Sequence, residues 1–314
     1  MKMGGGSVTV RVPGSTSNCG AGFDTLGLAL ALYNRVTLTP DFGTAAQPER
    51  AGDARAGTLV EAAAAEFFRT PGVAPMGFRY RIDGDVPPAR GLGSSATIIV
   101  GVLAALDALH GTKLVGDCLA AIGTALEGNP ENICAGLFGG FTVSRCDPAS
   151  GRYVDTIRVT VPGSLRFVVV SPETEMLTKE SRGVLPAKLP FFDAVKSVNN
   201  AAYLTAAFTT GDFSKLRHAA GDFLHEPYRL PRIRGAREAI AAGIAAGALT
   251  GWLSGSGSSV LCVAEAETAE AVSRAMRGGF ERVGVACVAR VLSADNEGMR
   301  VESPPTRPHL ILGS

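Results

Sequence analysis

The period of the hydrophobic and polar positions changes several times along the chain, and each change marks a predicted element. Short alternating stretches rich in β-branched residues predict strands, as in SVTVRVP (7–13), MGFRYRID (76–83) and LRFVVVSP (165–172). Stretches with apolar residues three and four positions apart predict helices, as in TLVEAAAAEFF (58–68) and the apolar run over 96–109. The pattern therefore predicts a protein that contains both helices and strands.

The order of these elements indicates an α+β fold. Strands and helices are mixed without strict alternation, which favours α+β over a doubly wound parallel sheet. A chain of 314 residues is long for one core, and the pattern begins again near residue 164. We therefore predict two domains, 1–163 and 164–314, with a ligand cleft between them. We also expect the first strand to end at Pro13 and a helix over 213–224.

Composition and charge narrow the functional classes. Hydrophobic residues at 46% and charged residues at 19% are typical of an ordinary globular protein. A formal net charge of +1 argues against a nucleic-acid partner, although a few basic residues could still line a pocket for a small anion. The start of the chain lacks the apolar stretch of a signal peptide, and the run over 96–109 is too short to cross a bilayer. We expect no membrane partner and a cytoplasmic location.

The six cysteines point away from metal binding and from disulfides. They are widely spaced and contain no C-x-x-C pair, so they form neither a zinc site nor a disulfide framework. Free thiols in a reducing compartment are the expected state.

A glycine- and serine-rich stretch, PPARGLGSSA (87–96), directly precedes the long apolar run. The start of a helix has unpaired N–H groups and a partial positive charge, both of which suit a phosphate. Glycines let the backbone approach an anion closely. The alternative is an ordinary helix capped by Ser94 or Ser95. The stretch matches neither the Walker A nor the Rossmann spacing.

Two further glycine- and serine-rich stretches lie over 14–24 and 254–259, and either could be an ordinary loop or turn. An acidic stretch, LEGNPENICAGLFGGF (126–141), carries chemistry more plainly. Glu127 could hold Mg²⁺ against ATP oxygens, or it could be a solvated charge at a helix end. Asn132 could orient a hydroxyl without taking its proton.

Taken together, these stretches resemble the motifs of the GHMP kinase superfamily. The three motifs are similar to VRVPGSTSNCGAGFD (10–24), PPARGLGSSA (87–96) and LSGSGSSVL (253–261), in that order. Within the superfamily the chain looks most like the homoserine kinases, through the first motif and three further stretches: EGNPENICAGLFGGF, LTKESRGVLP and HEPYRLPRI. The resemblance implies a ribosomal-protein-S5-like N-terminal domain and a ferredoxin-like C-terminal domain. It also implies a homodimer.

The resemblance further implies an activity: transfer of phosphate from ATP, with Mg²⁺, to the side-chain hydroxyl of L-homoserine, a step of threonine biosynthesis. It assigns Ser95 and Glu127 to Mg²⁺, and it places Asn132 beside the substrate hydroxyl and Thr178 near the transferred phosphate as the catalytic pair. Substrate binding is implied for Asn18, Asp24, Asn129, Asn132, Arg182 and Arg229, with the two arginines on the carboxylate. ATP binding is implied for Pro87, Arg90, Gly91, Leu92, Gly93, Ser94, Ser95, Ala96, Gly255 and Gly257.

The chain departs from the family pattern at two positions that bear on the substrate. Asn129 stands where the family usually has a histidine that helps bind substrate, and Ser258 stands where the third motif usually has proline, which is expected to loosen that turn. Another GHMP small-molecule kinase, of the mevalonate or shikimate type, stays open as an alternative. So does a catalytically silent protein that binds nucleotide for regulation.

Overall fold

The computed structural model describes residues 6–41, 43, 45–176 and 178–303, and the side chains of all of these except 178, 179 and 303. The described strands form two sheets, and together with the helices they confirm the predicted α+β fold. Their bounds are β1 (Val8–Ser17), β2 (Leu26–Asp41), β3 (Ala46–Pro48), β4 (Gly77–Gly84), β5 (Phe141–Cys146), β6 (Tyr153–Val159), β7 (Leu165–Pro172), β8 (Thr250–Leu253), β9 (Val260–Glu265), β10 (Cys287–Leu292) and β11 (Arg300–Ser303).

Helices fill the intervals between these strands, and most of them coincide with the predicted helical stretches. Their bounds are α1 (Gly57–Phe67), α2 (Ser94–His110), α3 (Gly116–Glu127), α4 (Glu131–Phe138), α5 (Thr178–Arg182), α6 (Phe191–Thr210), α7 (Glu226–Arg229), α8 (Ala236–Ala245) and α9 (Ala269–Glu281). Short 3₁₀ segments lie over Ala51–Ala56, Phe213–His218 and Leu230–Arg232. Within the described ranges, no helix is long and apolar enough to span a membrane.

The larger sheet has seven strands and the smaller one has four. In the larger sheet the order is β11-β1-β2-β4-β3, and β5 pairs with both β2 and β6. The smaller sheet has the order β10-β7-β9-β8, and all of its pairs are antiparallel. The last strand, β11, pairs with β1, so the chain returns to the larger sheet after completing the smaller one. The division of the chain at residue 164 stays a prediction.

Two local predictions were wrong. β1 continues through Pro13 to Ser17, because the register against β2 shifts between Pro13 and Gly14 and the irregularity accommodates the proline. The helix expected over 213–224 is only a short 3₁₀ segment. The carboxylate of Asp222 accepts hydrogen bonds from the N–H groups of the next turn, including those of His225 and Glu226 at 2.7 Å, so a new helix begins there.

Three apolar clusters hold these layers together, and one of them joins the two sheets. α2 packs on β1 and β2 with nearly all of its apolar residues buried. α8 and α9 pack on the smaller sheet. Between the sheets, Leu28 and Phe141 of the larger sheet share a buried cluster with Phe167 and Leu261 of the smaller one. The three glycine- and serine-rich stretches all border this shared cluster.

Candidate active site

The three glycine- and serine-rich stretches, far apart in sequence, meet in space. The hydroxyl of Ser254 donates to the carbonyl oxygen of Gly91 at 2.7 Å. The side-chain amide of Asn18 donates to the carbonyl oxygen of Gly255 at 3.1 Å. The N–H of Ser15 donates to the carbonyl oxygen of Leu92 at 3.1 Å. The stretch at 87–96 is therefore held between the other two.

The first turn of α2 has no side-chain cap. Gly93 is the N-cap residue, in the left-handed conformation with φ of 69°, and neither Ser94 nor Ser95 caps the helix as the structural alternative expected. Glycine is needed at this position for space as well as for φ, since a Cβ on Gly93 would lie 2.2 Å from Oγ of Ser15. With no side chain over its end, the helix keeps its unpaired N–H groups and its positive end available to an anion.

This helix start opens into a cavity of about 530 Å³. One half of the cavity is polar and contains the candidate substrate residues, whereas the other half lies between α2, β4 and the segment that leads into α1. The second half has an apolar wall formed by Leu59, Ile82, Val86 and Ile98. Asp53 and Arg55 also line this half. A cavity with an apolar wall in one half and the candidate substrate residues in the other, joined at a helix start, suits two different ligands side by side.

Ser95 and Glu127 meet at the boundary between the two halves. The Ser95 hydroxyl donates to Oε1 of Glu127 at 2.7 Å, which joins the first turn of α2 to the last residue of α3. Burial raises the pKa of Glu127, and the hydrogen bond from Ser95 and the charge of Arg182 partly offset the rise. Glu127 is therefore half-buried and faces the cavity, which excludes the solvated helix-end alternative. A carboxylate and a hydroxyl at this spacing are oxygen ligands of the kind that Mg²⁺ prefers.

Asn132, in the first turn of α4, lies between the first stretch and the phosphate loop candidate. Its Oδ1 accepts a hydrogen bond from Ser15 at 2.9 Å, and its Nδ2 donates to Oγ of Ser17 at 3.0 Å. Its Nδ2 also donates to Oε1 of Glu131 at 3.1 Å. A Cβ on Gly93 would lie 3.2 Å from Oδ1, so the amide oxygen reaches the start of α2.

The charged end of the cavity contains two arginines beside one aspartate. Arg182 forms a two-pronged ion pair with Asp24, at 2.7 and 3.1 Å. Arg229 is buried, and it donates through Nε to the carbonyl oxygen of Ser181 and through Nη1 to that of Gly255. Burial and the nearby charge of Arg182 lower the pKa of Arg229 to about 10. An anion such as a carboxylate would relieve the repulsion between the two guanidinium groups.

Phe23 separates the two arginines. Its ring centroid lies 5.5 Å from the guanidinium carbon of Arg182 and 5.2 Å from that of Arg229. The ring also lies 5.3 Å from that of His225, whose Nε2 is 2.9 Å from the carbonyl oxygen of Gly20. Aromatic contacts of this kind stabilise guanidinium groups in a fixed position.

Most of the predicted site residues lie together on the wall of this one cavity. The lining includes Asn18, Asp24, Arg90, Gly91, Gly93, Ser94, Ser95, Glu127, Asn129, Asn132, Arg182, Arg229 and Gly255. Leu92 and Ala96 instead point their side chains into the core, and Pro87 and Gly257 belong to the same turns without lining the cavity. The side chain of Thr178 lies outside the described residues.

The motif search missed several residues of the cavity. Ser17, Phe23 and Glu131 line it, as does the apolar wall. Ser17 and Phe23 lie inside the first glycine- and serine-rich stretch, and Glu131 lies inside the acidic stretch. Their place within these motifs is the sequence feature that could have indicated them as site residues. The apolar wall carries no signal of its own, because its residues look like any other core positions.

The turn at 254–259 is held more firmly than expected from the serine at position 258. Ser258 is fully buried, and its hydroxyl donates to the carbonyl oxygen of Thr174. The next residue, Ser259, shares a 2.7 Å hydrogen bond with the hydroxyl of Ser171. The expected loosening of this turn is therefore opposed by hydrogen bonds to the strand β7 and the segment after it.

Comparison with known proteins identifies the family. Residues 58–140 match the model of the GHMP kinases N terminal domain, and residues 204–282 match that of the GHMP kinases C terminal domain. The homoserine kinase of Moorella thermoacetica is 37% identical over 92% of this chain and 98% of its own length. That of Carboxydothermus hydrogenoformans is 37% identical over 88% of this chain and 91% of its own length.

Solved structures agree with the sequence comparison. The crystal structure of homoserine kinase from Cytophaga hutchinsonii superposes with a TM-score of 0.84 at 26% identity, covering 94% of this chain and 97% of that chain. The similarity thus extends over both sheets and includes the segments that build the cavity. The chain belongs to the homoserine kinase family of the GHMP kinases.

Proposed function

We propose that the chain transfers the γ-phosphate of ATP to the side-chain hydroxyl of L-homoserine and releases O-phospho-L-homoserine and ADP. One observation carries the proposal: a helix start suited to phosphate and a pair of arginines suited to a carboxylate line the same cavity, with Asn132 between them. The names of the relatives support the same substrate.

In this proposal ATP lies along the boundary of the two halves of the cavity. The backbone from Gly91 to Ser95 and the start of α2 would surround its phosphates, since Gly91, Gly93, Ser94 and Ser95 line the cavity and the helix start has no side-chain cap. Its base would lie against the apolar wall of Leu59, Ile82 and Ile98, where no charged residue is needed. Ser254 supports the loop from behind through its bond to Gly91.

Ser95 and Glu127 would hold Mg²⁺, because their oxygens already lie 2.7 Å apart and face the phosphate position. The ion supplies neutralisation of the phosphate charge when it is bound.

The amino-acid end of the acceptor fits the charged half of the cavity. Arg229 would bind the substrate carboxylate with Arg182, whose position is fixed by Asp24. Asp24 supplies the negative charge that an α-ammonium group needs, and Asn18 adds an amide next to it, since Oδ1 of Asn18 already accepts from the N–H of Asp24 at 3.0 Å. This arrangement selects a zwitterionic alcohol over a neutral one.

Asn132 would orient the substrate hydroxyl. Its Oδ1 accepts one hydrogen bond from Ser15 and retains a second lone pair, which can accept from the hydroxyl of the substrate. An amide cannot take the proton at neutral pH, so the hydroxyl oxygen forms its bond to the γ-phosphorus as the bond to ADP breaks, and the proton passes to the transferred phosphate. Positioning and charge neutralisation supply the catalysis.

Coupled ADP release with Mg-ATP and a panel of alcohols tests the proposal: homoserine, mevalonate, shikimate, galactose and serine. Selective turnover of homoserine is the expected result. Selective turnover of another alcohol would show that the protein is a kinase but that homoserine is not its substrate. Asn129 would then be the first residue to examine. Nucleotide binding without any turnover would favour the regulatory alternative. The homodimer, the location in the cytoplasm, the absence of a nucleic-acid partner and the role of Thr178 stay predictions.

A further inference from the structure

Glu131 is a buried carboxylate in the candidate site to which no role has been assigned so far. It is the first residue of α4, it is only 3% exposed, and it lines the cavity. It forms no ion pair with a lysine or arginine of the described residues, and an unpaired buried carboxylate is costly. Burial and the nearby charge of Asp24 raise the pKa of Glu131, and the charge of Arg182 opposes the rise. The burial of Glu131 at this cost indicates that the carboxylate has a role in the site.

The first contact of Glu131 determines which way the Asn132 amide faces. Nδ2 of Asn132 donates to Oγ of Ser17 and to Oε1 of Glu131, whereas Oδ1 accepts from Ser15. The two serine hydroxyls can each donate or accept, so they would satisfy either orientation of the amide. The N–H of Asn132 that points at Oε1 and the charge of Arg182 both favour the ionised form of Glu131. In that form the carboxylate only accepts, and Glu131 therefore fixes the nitrogen of Asn132 on its own side and the oxygen toward Gly93.

The second contact of Glu131 extends to the carboxylate clamp. In the amide orientation that gives both polar atoms of Asn129 a partner, its nitrogen donates to the two Glu131 oxygens at 3.0 and 3.1 Å. Its oxygen then accepts from Nη2 of Arg182 at 2.8 Å, and Arg182 in turn pairs with Asp24. A carboxylate that only accepts and a guanidinium that only donates leave Asn129 one orientation.

We propose that Glu131 is the positioning residue of the acceptor site: it orients Asn132 at the hydroxyl end and, through Asn129, Arg182 at the carboxylate end. One buried carboxylate thereby fixes both ends of a substrate it need not touch. The inference rests on the proposed function, since it assigns Asn132 and Arg182 the roles given above. It also gives Asn129 a role, as the link between Glu131 and Arg182.

The Glu131→Gln variant separates acceptor character from size. Its amide can donate as well as accept, so the Asn132 and Asn129 amides lose their fixed orientation while the volume stays the same. We expect kcat to fall about 10- to 100-fold and KM for homoserine to rise, with KM for ATP unchanged. Equal changes in both KM values, or no change in kcat, would overturn the proposal.

A double-mutant cycle tests whether Glu131 acts through Asn132. Wild type, Glu131→Gln, Asn132→Ala and the double variant are compared in single-turnover reactions with excess enzyme, so that slow rates can be measured. If Glu131 acts by orienting Asn132, its substitution costs nothing further in kcat once Asn132 is alanine. Independent, multiplicative losses would overturn the proposal.

A matched pair covers the case in which Glu131→Gln does not fold. Glu131→Asp and Glu131→Asn have the same size, and only the aspartate is restricted to accepting. The aspartate variant should retain the higher kcat, and equal rates would contradict the positioning role. Wild-type turnover on the alcohol panel distinguishes the two proposals. If another alcohol is the substrate, the proposed substrate fails and the cycle is run with that alcohol; if none is turned over, both proposals fail.

Discussion

The hydroxyl of Ser95 donates a 2.7 Å hydrogen bond to Oε1 of Glu127, and this contact joins the first turn of α2 to the last residue of α3. Glu127 makes no ion pair within the described part of the chain. Burial raises the pKa of Glu127, and the hydrogen bond from Ser95 and the charge of Arg182 oppose the rise. The pair faces the cavity at the place where a phosphate bound to α2 would end. This geometry supports the proposed role of the pair as oxygen ligands of Mg²⁺.

Replacing Glu127 with glutamine should abolish most of the activity without unfolding the protein. The amide keeps the size and can still accept from Ser95, but it loses the negative charge that Mg²⁺ requires. We expect kcat at ordinary Mg²⁺ to fall by about 100-fold or more, because several kcal/mol of charge stabilisation are lost. ADP release across a Mg²⁺ titration measures the loss, and raised Mg²⁺ should restore part of the rate.

Glu270→Gln, at an exposed position of α9, is the matched control and should leave the rate unchanged. If Glu127→Gln instead lowers the melting temperature strongly and keeps the specific activity of the folded fraction, Glu127 is a structural residue and the assignment to Mg²⁺ is wrong.

Gly93→Ala should inactivate the protein because the added methyl group would crowd the residues beside the start of α2. Gly93 has φ of 69°, and a Cβ there would lie 2.2 Å from Oγ of Ser15 and 3.2 Å from Oδ1 of Asn132. The new methyl group would displace the serine and the amide that orient the substrate hydroxyl. Gly111, at the other end of α2, has φ of 64° and no atom within 4 Å of the added Cβ.

Gly111→Ala therefore serves as the control for backbone strain alone. Both variants should lose about 1–2 kcal/mol of folding stability from backbone strain, since both place an L-residue in the left-handed region, and Gly93→Ala should lose more because of its clash with Ser15. Only Gly93→Ala should lose turnover as well. Urea unfolding and ADP release on the same two preparations make the comparison, and parallel losses of activity would show that the crowding at Gly93 has no catalytic consequence.

The local patterns of the sequence predicted most elements, and the reasons for the exceptions are physical. The alternation of β7 and the periodicity of α1 are strong signals because each buries one face. β1 continued beyond Pro13 because a register shift against β2 absorbed the proline, and this depends on a partner strand that the local pattern does not contain. The same holds for the return of β11 to β1.

Some residues of the candidate site could likewise be predicted from local sequence, and others could not. Ser95 and Gly93 could be named from the residues, because a glycine- and serine-rich stretch before an apolar helix is a local feature. Arg229 could be named only through the family resemblance, since an arginine after Glu-Pro-Tyr looks exposed in sequence although it is 3% exposed in the fold. Glu131 could not be named from the sequence, because its effect depends on the orientation of two neighbouring amides.

The stability of the protein should depend on the protonation of Glu226. This residue is buried, its Oε1 accepts from the N–H of Leu253 at 2.6 Å, and burial raises its pKa to about 8, with a further contribution from Asp222 and an opposing one from Arg237. A carboxyl group whose pKa is raised on folding stabilises the folded state at low pH and loses that contribution as the pH rises through the folded value. Glutamine has the shape of the protonated acid and does not titrate.

Glu226→Gln should therefore equal wild type in melting temperature near pH 5 and exceed it near pH 8.5. The difference in the free energy of unfolding between the variant and wild type should grow by at most about 1.4 kcal/mol per pH unit between these limits. Glu238→Gln, an exposed position of α8, should leave the pH dependence unchanged. Parallel curves for wild type and Glu226→Gln would mean that Glu226 is ionised in the folded protein throughout.

Replacing Arg229 with alanine should weaken the binding of the amino acid far more than that of ATP. The guanidinium is buried beside Phe23 and held by carbonyl oxygens of Ser181 and Gly255, so it is placed in advance for a carboxylate. Loss of a charged hydrogen-bond pair costs about 1.5–3 kcal/mol, which corresponds to a rise of about 10- to 100-fold in KM for homoserine. KM for ATP should change much less, because Arg229 contacts the residues assigned to ATP only through the carbonyl oxygen of Gly255, which its loss leaves in place.

Aminopropanol, which is homoserine without its carboxylate, provides the decisive comparison. Wild type should turn it over poorly, and Arg229→Ala should be no worse than wild type with this acceptor, because the arginine has no carboxylate to bind. If the substitution harms both acceptors equally, the loss comes from displacement of α5 or the turn at 254–259 rather than from the clamp. The ratio of the two kcat/KM values, measured for wild type and variant, thus separates recognition of the carboxylate from general damage to the site.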